Sequence, residues 1–539
     1  ASNKKQSLRA VKNEKLSQAL AKNERQIASA VTAPSTPAPP GNERRNMLLM
    51  EAVQGGSKKL IRRYVKMGAN VDYVQPGGAS PLSMAAVKGR ADLVDELADL
   101  GADVTRATPL LTAALYGKVE VIRSLAKHGA NMNVAESNGS NAVLLAAEEG
   151  HLKAITTLAK LGTNINATTN KNVTPLLAAA RCSKPESIKL LSSLGADVNA
   201  AHIDGTTAVL TGALNNDVEV LKALAELGAD FNKARNDDST PLFIAAKHNF
   251  VDAIHALAEG KADMNLPSGT VRPMHIAAAW GHTAAIKALA RHGAEVNTRD
   301  INGISPIMVA AQEGHAEAIN TLAALGGDVN VPAYNNATPL LEAARSGHMQ
   351  AIEVLTKHGA NIHAAELQGF TPLVAAAEYG QIAAVRALAA LGADVNSRSL
   401  SGATPVFVAA RNNRVESIKV LVELGADVDI PGDNDGSPMM IAAQEGHVDC
   451  IKILAELGAD VDAPGDTGAS PIFIASQNNH VQAVRALAQA GADVNKPAND
   501  GGTPVLMAAQ QGHVEVIKML YKFGADMKPD FKRSVAEMA

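Results

Sequence analysis

Seven of the fifteen histidines recur at one place in a repeating pattern, and this is the first arrangement in the sequence that could do chemistry. Each follows a glycine or asparagine that ends a short helical pattern: His151, His282, His315, His348, His447, His480 and His513. Imidazole is a common zinc ligand. Members in neighbouring repeats would stand about 10 Å apart, however, whereas the ligands of one zinc ion each lie within about 2.1 Å of it. The spacing argues against a shared metal, and we expect neither a metal nor another cofactor.

Other candidate chemistry is equally sparse. The run Asp433-Asn434-Asp435-Gly436 has the composition of a calcium loop, but it lacks the acid spacing and closing glutamate of an EF-hand, so we interpret it as a turn. Phosphate-binding glycine loops, HExxH and GxSxG do not occur, and no Cys-His or Ser-His-Asp set follows from the repeat positions. We predict that the chain is not an enzyme and has no catalytic residues.

The histidines belong to a 33-residue unit, shown by 430–462, IPGDNDGSPMMIAAQEGHVDCIKILAELGADVD. Ser437 and Pro438 predict a helix start, because the hydroxyl accepts from free N–H groups and proline fits the first helical position. Gly446 ends this inner helix in the left-handed conformation, and Gly458 ends a second, outer helix. Two such short helices cannot bury their apolar faces alone, so each unit needs neighbours.

We count fifteen such repeats from Met47, an atypical first unit and fourteen regular ones. Twelve of the fourteen begin with a hydroxyl residue. Their inner helices end at glycine in nine cases, at asparagine in four and at Ser183 in one. Asparagine is the next-best residue for a left-handed helix end, so the substitution keeps the mechanism. The regularity predicts one elongated array rather than several separate domains.

Three irregularities interrupt the array and are candidate bends or contact points. The second regular repeat lacks five residues of its connecting loop, so that little remains between Val104 and the helix start expected at Thr108. One outer helix has Lys261 where the others have glycine, and we place its end at the preceding Gly260. The next unit is one residue short and has Arg272 where a hydroxyl is expected.

Segments such as TPLLAAARCSKPESIKLLSSLGADVN and SPIMVAAQEGHAEAINTLAALGGDVN resemble ankyrin repeats. The resemblance runs from about Met47 to Lys528 through the TPL, AA, GH and GADVN signatures. It implies an all-α solenoid of helix-turn-helix repeats with protruding finger loops, a concave groove formed by fingers and inner helices, and proteins as partners. It also implies a packing and capping role for the row of histidines. The sequence departs from the family after TPL, where histidine is usual and only His275 remains.

The residues just before each inner-helix end vary while the frame around them does not, as expected of a binding face. A solvated face without function would vary too. Only fifteen residues of 539 are aromatic, yet the single tryptophan and two of six tyrosines lie here. We therefore predict protein binding through Tyr116, Arg181, Lys247, His248, Trp280, Glu313, Arg345, Tyr379 and Arg411.

Residues 1–46 form a separate segment ahead of the array (47–528) and a short tail (529–539). The segment carries nine Lys or Arg against three Glu, a net charge of +6. Since the whole chain has a net charge of −4, the remaining residues carry −10. Apolar residues at loosely helical spacing suggest a basic amphipathic arm that docks on an acidic protein surface. A disordered tail and a transit peptide are the alternatives. The negative array would repel phosphates, so we predict no nucleic-acid partner.

No apolar run reaches the 18 or more residues of a membrane span. Cys182 and Cys450 lie about eight repeats apart and cannot pair, which is typical of a reducing compartment. We predict a cytoplasmic protein, with a cilium, the cytoskeleton or an organelle interior as alternatives. Its predicted function is that of a non-enzymatic scaffold or adaptor that binds partners along the groove. The alternative is a structural subunit of a large cytoskeletal, ciliary or organellar assembly, docked through the arm.

Overall fold

A computed structural model describes residues 41–432 and 436–526, which contain thirty helices in fifteen helix-turn-helix pairs. Within these ranges there are isolated bridges at Ala135–Asn141 and Ser268–Val271 but no strands. No helix there is long and apolar enough to cross a membrane. Residues 1–40, 433–435 and 527–539, on which the predictions of the arm, a turn and the tail fall, lie outside the described residues.

The chain forms two compact units, the first with residues up to 241 and 256–262, the second with 242–255 and the residues from 263 onward. The helices of the first unit are α1 (Gly41–Gln54), α2 (Lys58–Lys66), α3 (Pro81–Val87), α4 (Ala91–Asp99), α5 (Ala107–Leu115), α6 (Val119–Lys127), α7 (Ala142–Glu149), α8 (Leu152–Lys160), α9 (Pro175–Arg181), α10 (Pro185–Ser193), α11 (Ala208–Asn215) and α12 (Val218–Glu226). Two helices are divided between the units: α13 (Pro241–Lys247) and α14 (Val251–Glu259).

The helices of the second unit are α15 (Pro273–Ala279), α16 (Thr283–Arg291), α17 (Pro306–Gln312), α18 (Ala316–Ala324), α19 (Pro339–Ser346), α20 (Met349–Lys357), α21 (Pro372–Tyr379), α22 (Ile382–Ala390), α23 (Pro405–Arg411), α24 (Val415–Glu423), α25 (Pro438–Gln444), α26 (Val448–Glu456), α27 (Pro471–Gln477), α28 (Val481–Gln489), α29 (Pro504–Gln510) and α30 (Val514–Lys522). Odd-numbered helices are the inner helices of the repeats, and even-numbered helices are the outer ones.

Helix α1 begins at Gly41, so residues 41–46, which composition assigns to the arm, belong to the first helix pair. Two of their side chains hold the loop after α2. The Asn46 side-chain oxygen accepts the backbone N–H of Asn70 at 2.7 Å, and the Arg45 guanidinium donates to the carbonyl of Met67. With residues 41–46 included, the first helix is longer than the inner helices that follow it.

Most inner helices begin as their residues predict. The hydroxyl of Ser437 accepts the N–H of Met440 at 3.2 Å, and Pro438 is the first residue of α25. Thr174 and Thr404 cap α9 and α23 in the same way.

The helix ends are also confirmed. The residues that follow the fourteen regular inner helices, whether Gly, Asn or Ser183, all have positive φ, from 53° at Asn216 to 81° at Gly150. The outer helix α26 is likewise followed by Gly458, whose φ is 90°. The frame of the repeat is thus set by local backbone conformation.

Small side chains let the helix layers approach closely. Ala442 and Ala443 of α25 have no exposed surface, and the alanine pairs of most other inner helices are equally buried. Within each unit, every inner helix packs on the next inner helix and every outer helix on the next outer helix. Because the helices have apolar neighbours on several sides, the core of each unit is a strip between two helix layers.

The placement of one outer-helix end at Gly260 is wrong. Helix α14 ends at Glu259, and Lys261, with a φ of 65°, occupies the left-handed position that glycine has elsewhere. A Cβ at Gly260 would collide with the ring of Phe231, which is 3% exposed. Glycine is therefore present to make room for a buried phenylalanine, while the helix end keeps its register.

The start expected at Thr108 is also shifted. Helix α5 begins at Ala107 after Arg106, which gives no side-chain cap, because the shortened loop enters the helix directly. Arg272 precedes α15 without capping it; its guanidinium donates to the carbonyl of Asn265 at 3.1 Å instead. Both starts rely on chain geometry rather than on a hydroxyl cap.

Candidate functional site

The nine residues predicted to bind protein all lie at the C-terminal ends of inner helices, as the 33-residue register requires. Tyr116 and Arg181 lie in the first unit, at the ends of α5 and α9. The other seven lie in the second unit, and we call them the inner stripe: Lys247, His248, Trp280, Glu313, Arg345, Tyr379 and Arg411.

Trp280 directly follows α15 and is 55% exposed. Its ring lies nearly parallel to that of His282, with centroids 6.5 Å apart and an angle of 18° between the planes. The Nε2 of His282 donates to the carbonyl of Lys247 at 3.2 Å, which fixes the imidazole above the end of the preceding inner helix. The indole is thus held in place on one side and open to solvent on the other.

Arg345 is enclosed by two carboxylates and one ring. Its Nη1 lies 2.6 Å from Glu342 Oε1, its Nη2 lies 3.1 Å from Glu366 Oε2, and its Cζ lies 5.9 Å from the centre of the Tyr379 ring. Burial acts to lower the pKa of the guanidinium, but Glu342 and Glu366 outweigh it and raise that pKa above its usual value. Because its charge is already paired, we expect Arg345 to hold Tyr379 in position.

The other charged side chains of the inner stripe differ in whether they form ion pairs. Arg411, with a side chain 33% exposed, lies 3.4 Å from Glu378 Oε1. Lys247 and Glu313 are exposed, and neither has an ion pair within the part of the chain that the structure describes. A partner would therefore meet one cation and one anion beside the two aromatic rings of Trp280 and Tyr379.

The two predicted residues of the first unit have different surroundings. Tyr116 is half-buried, and Arg181 is exposed at the end of α9. Burial raises the pKa of the neighbouring Glu148 carboxyl, an effect that Arg181 opposes and Glu149 reinforces. Arg181 is therefore partly engaged with an acidic neighbour.

The row of histidines links successive repeats. In each, Nε2 donates to a carbonyl at the end of the preceding inner helix, at 2.9 Å for His151 and 3.2 Å for His282. His315, His348, His447, His480 and His513 make the same bond. Gln381 does so through its side-chain amide at 3.1 Å. The histidines thus cap free carbonyls, and in the described ranges no three His, Cys, Asp or Glu side chains converge as metal ligands.

Both cysteines are free thiols. Cys450 is buried in α26, where its Sγ–H donates to the side-chain oxygen of Asn413 at 3.3 Å. Burial, with a smaller effect of Asp449, raises the pKa of this thiol to about 12. It remains protonated at neutral pH and packs as a small apolar residue.

Sequence reasoning missed one surface at the tips of the finger loops. Four consecutive repeats of the second unit place an exposed apolar side chain at the tip: Ile301 (69% exposed), Tyr334 (66%), Leu367 (58%) and Leu400 (82%). We call these four residues the tip row. The signal was visible, since each lies four residues before the helix-start hydroxyl, where repeats such as those of Asn170, Asn236 and Asp466 are polar.

A groove of about 400 Å³ lies beside the inner helices α23, α25 and α27. Its wall includes Phe407, Met440, Ile441 and Ile474, and Asp466 lies at its edge. Phe407 stands where the resemblance leads us to expect histidine, so the departure from the family pattern contributes apolar wall to this groove.

The comparisons with known proteins agree with this geometry. A family model described as "Ankyrin repeats (3 copies)" matches residues 49–136, 110–202, 176–268, 211–300, 267–333, 307–399, 391–465 and 462–530. No curated protein matches the chain.

Proposed function

Because the chain belongs to the ankyrin-repeat family, whose repeats are general protein–protein interaction modules, we propose that it is a scaffold or adaptor that holds protein partners along the inner stripe. The observation that carries this proposal is Trp280. A large aromatic ring that is 55% exposed, positioned by His282 and flanked by polar side chains, has the properties of an interface hot spot.

The partner contacts follow from the surroundings of each residue. Trp280 and Tyr379 supply aromatic area, and Lys247 and Glu313 supply charges that select the partner and its orientation. His248 lies at the end of α13, one repeat before Trp280, and Arg411 lies at the end of α23, one repeat after Tyr379. Both extend the polar rim. The same logic applies to Tyr116 and Arg181 in the first unit.

We further propose that the chain acts without catalysis, as ankyrin-repeat proteins typically do. The free thiols of Cys182 and Cys450 support a reducing compartment such as the cytoplasm. The net −10 beyond residue 46 disfavours nucleic acid, and the basic segment at 1–46 favours an acidic protein surface as its partner.

The test is a single substitution, Trp280→Ala. Proteins recovered from cells with the full-length chain as bait are identified by mass spectrometry, and the most enriched partner is purified. We expect the substitution to cost less than about 1 kcal/mol of stability, because the ring is largely exposed. We expect partner binding to weaken by about 2 kcal/mol or more in isothermal titration.

Tyr521→Ala is the matched control, because Tyr521 is also an exposed aromatic residue, at 53%, but lies on the outer helix α30. It should leave the affinity unchanged. A well-folded Trp280→Ala chain with unchanged affinity would show that the inner stripe is not the binding face. A stability loss of roughly 3 to 5 kcal/mol would show instead that the ring packs in the core.

A further inference from the structure

The tip row is a continuous feature of four linked fingers. The backbone N–H of Tyr334 donates to the carbonyl of Asn302 at 3.1 Å, that of Leu367 to Asn335 at 2.9 Å, and that of Leu400 to Gln368 at 3.0 Å. Tyr334, Leu367 and Leu400 are thereby each tied to the tip before it, and these three bonds link the four fingers. The four side chains therefore form one ordered strip, since each tip is fixed by its neighbour.

The fingers are also too closely packed to rearrange freely. A Cβ on Gly303, whose φ is 78°, would lie 2.8 Å from the Tyr334 ring, and one on Gly369, whose φ is 84°, would collide with the Leu400 backbone. Only glycine fits at these two places. The backbone of these two finger loops is thus fixed in one conformation, in which the side chains of the tip row are exposed to solvent.

The surroundings of the strip are close to neutral. The residues that follow the four apolar ones are uncharged and exposed: Asn302, Asn335, Gln368 and Ser401. The charged side chains nearest in sequence to the four tip residues are two of each sign: Arg299, Arg398, Asp300 and Glu366. The carboxylate of Glu366 is already paired with Arg345. A strongly charged strip would repel a copy of itself, whereas this one is electrostatically compatible with its own surface.

We propose that the tip row is the contact between two copies of this chain, related by a two-fold axis so that the rows run antiparallel. Ile301 of one copy then faces Leu400 of the other, and Tyr334 faces Leu367. A two-fold contact needs a patch that complements itself, which an ordered, neutral and apolar row provides. This inference uses residues other than those of the inner stripe, although Glu366, next to Leu367, is paired with Arg345 of that stripe. It does not depend on the proposed function.

The exposed area sets the expected strength. Exposed fractions of 58–82% on four large side chains correspond to on the order of 500 Å² of surface, the size of patches that mark interaction sites. Stable dimers bury roughly 800 Å² per partner. The tip row with its flanking amides approaches this value without exceeding it, so we expect reversible dimers with a dissociation constant of roughly 1 to 100 μM.

Sedimentation velocity of the full-length chain from about 1 to 300 μM tests the proposal, a range chosen to span the expected constant. We expect a monomer that converts reversibly to a dimer as concentration rises. Leu400→Asp and Leu367→Asp place a charge in the strip, and each should weaken dimerisation at least about tenfold. Since both side chains are exposed, circular dichroism should show unchanged helix content.

Ile203→Asp is the matched control. Ile203 occupies the same tip position and is 62% exposed, but the tips beside it carry Asn170 and Asn236. This variant should dimerise like the natural chain. Because the proposed contact is apolar, dimerisation should also persist in 1 M NaCl, where surface charges are screened beyond about 3 Å.

Three results would overturn the proposal. A chain that remains monomeric at 300 μM has no such contact of the expected strength. A dimer unaffected by either leucine variant uses another surface. A dimer that dissociates at high salt is held by charge, as docking of the basic segment at 1–46 on an acidic surface would be.

Discussion

His275 occupies a position where nearly all other regular repeats have an apolar residue, most often leucine or phenylalanine. Its surroundings explain how a histidine is accommodated. The side chain is 3% exposed, and Nε2 donates to the carbonyl of Ile304 at 2.9 Å. Its Nδ1 is buried and has no hydrogen-bond partner among the described residues. Burial lowers the pKa of the imidazole, although the hydrogen bond to Ile304 opposes the effect. The fold therefore favours the neutral form of the ring.

This pKa shift makes a prediction about acid stability. The unfolded chain binds a proton at His275 near the usual pKa of about 6.5, whereas the folded chain resists it, so stability falls as pH falls below that value. His275→Phe should reduce this acid sensitivity, because phenylalanine does not bind a proton. The position accepts this residue in three other repeats, at Phe243, Phe407 and Phe473. At pH 7 we expect a loss of about 1 kcal/mol for the missing hydrogen bond.

Urea unfolding midpoints of both chains at pH 7 and pH 5 measure the difference. The natural chain should lose more stability between the two values than the variant. Equal losses would mean that His275 becomes protonated in the fold. His513→Gln is a suitable control, since it replaces a histidine of the capping row with the residue type that Gln381 uses for the same bond.

At the scale of the elements, neighbouring repeats are joined by a ladder of side-chain hydrogen bonds at the base of the fingers. The Asn330 side-chain oxygen accepts the N–H of Asn361 at 2.7 Å, and its amide donates to the carbonyl of Gly359 at 3.1 Å. Asp429 accepts the N–H of Asp460 at 3.0 Å at the equivalent place, but a carboxylate has no donor for the second bond. The ladder is thus weaker where aspartate replaces asparagine.

Asp429→Asn should therefore stabilise the chain. Burial raises the pKa of the Asp429 carboxyl, and the charges of Asp427 and Asp460 add to this although the N–H of Asp460 opposes it. A raised pKa in the fold means that the ionised group destabilises it, so the gain should be larger at pH 7 than at pH 4. We expect up to about 0.5 kcal/mol from reduced repulsion at this partly exposed site and about 1 kcal/mol from the new bond.

Thermal or urea unfolding at both pH values shows whether Asp429→Asn raises or lowers the stability. Asp449→Asn, in the repeat that directly follows Asp429, is the control, because it removes an equal charge from an exposed position on α26, 3.7 Å from Lys452. That change should leave stability within about 0.5 kcal/mol of the natural chain. A destabilised Asp429→Asn chain would contradict the ladder argument.

At the scale of the whole molecule, stability should vary along the chain because contacts are made between adjacent repeats. Among the described residues, the first and last helix pairs have a repeat on one side only. The segment 260–273 combines a non-glycine residue at the left-handed position of Lys261 with an uncapped helix start at Arg272. These are the places where local opening costs least.

Native-state hydrogen exchange with mass spectrometry tests this expectation. Amides in the central repeats of each unit should be protected longest, and those of α1, α30 and the segment 260–273 should exchange first. Uniform protection of all repeats that is lost in one cooperative step would contradict the view that the stability of the array is a sum of interactions between neighbouring repeats. Peptides from α7 to α10 and from α19 to α22 serve as internal references, since they lie in uninterrupted repeats.

The sequence by itself determined the helix frame, because the devices that set it act within a few residues. Ser437 caps its own helix, Pro438 fits the first turn, and Gly446 takes a left-handed conformation regardless of distant contacts. A regular frame also fixed which residues stand at inner-helix ends, so the nine predicted binding residues lie where the register placed them. Whether they bind a partner stays a prediction.

Only the tertiary structure decided what happens between repeats, because those contacts join residues some 30 positions apart and depend on side-chain volume and direction. It showed that Gly260 makes room for Phe231, that Arg345 is already neutralised by Glu342 and Glu366, and that Trp280 is held by His282. It also revealed the tip row, since exposure is a property of packing that a residue's type does not determine.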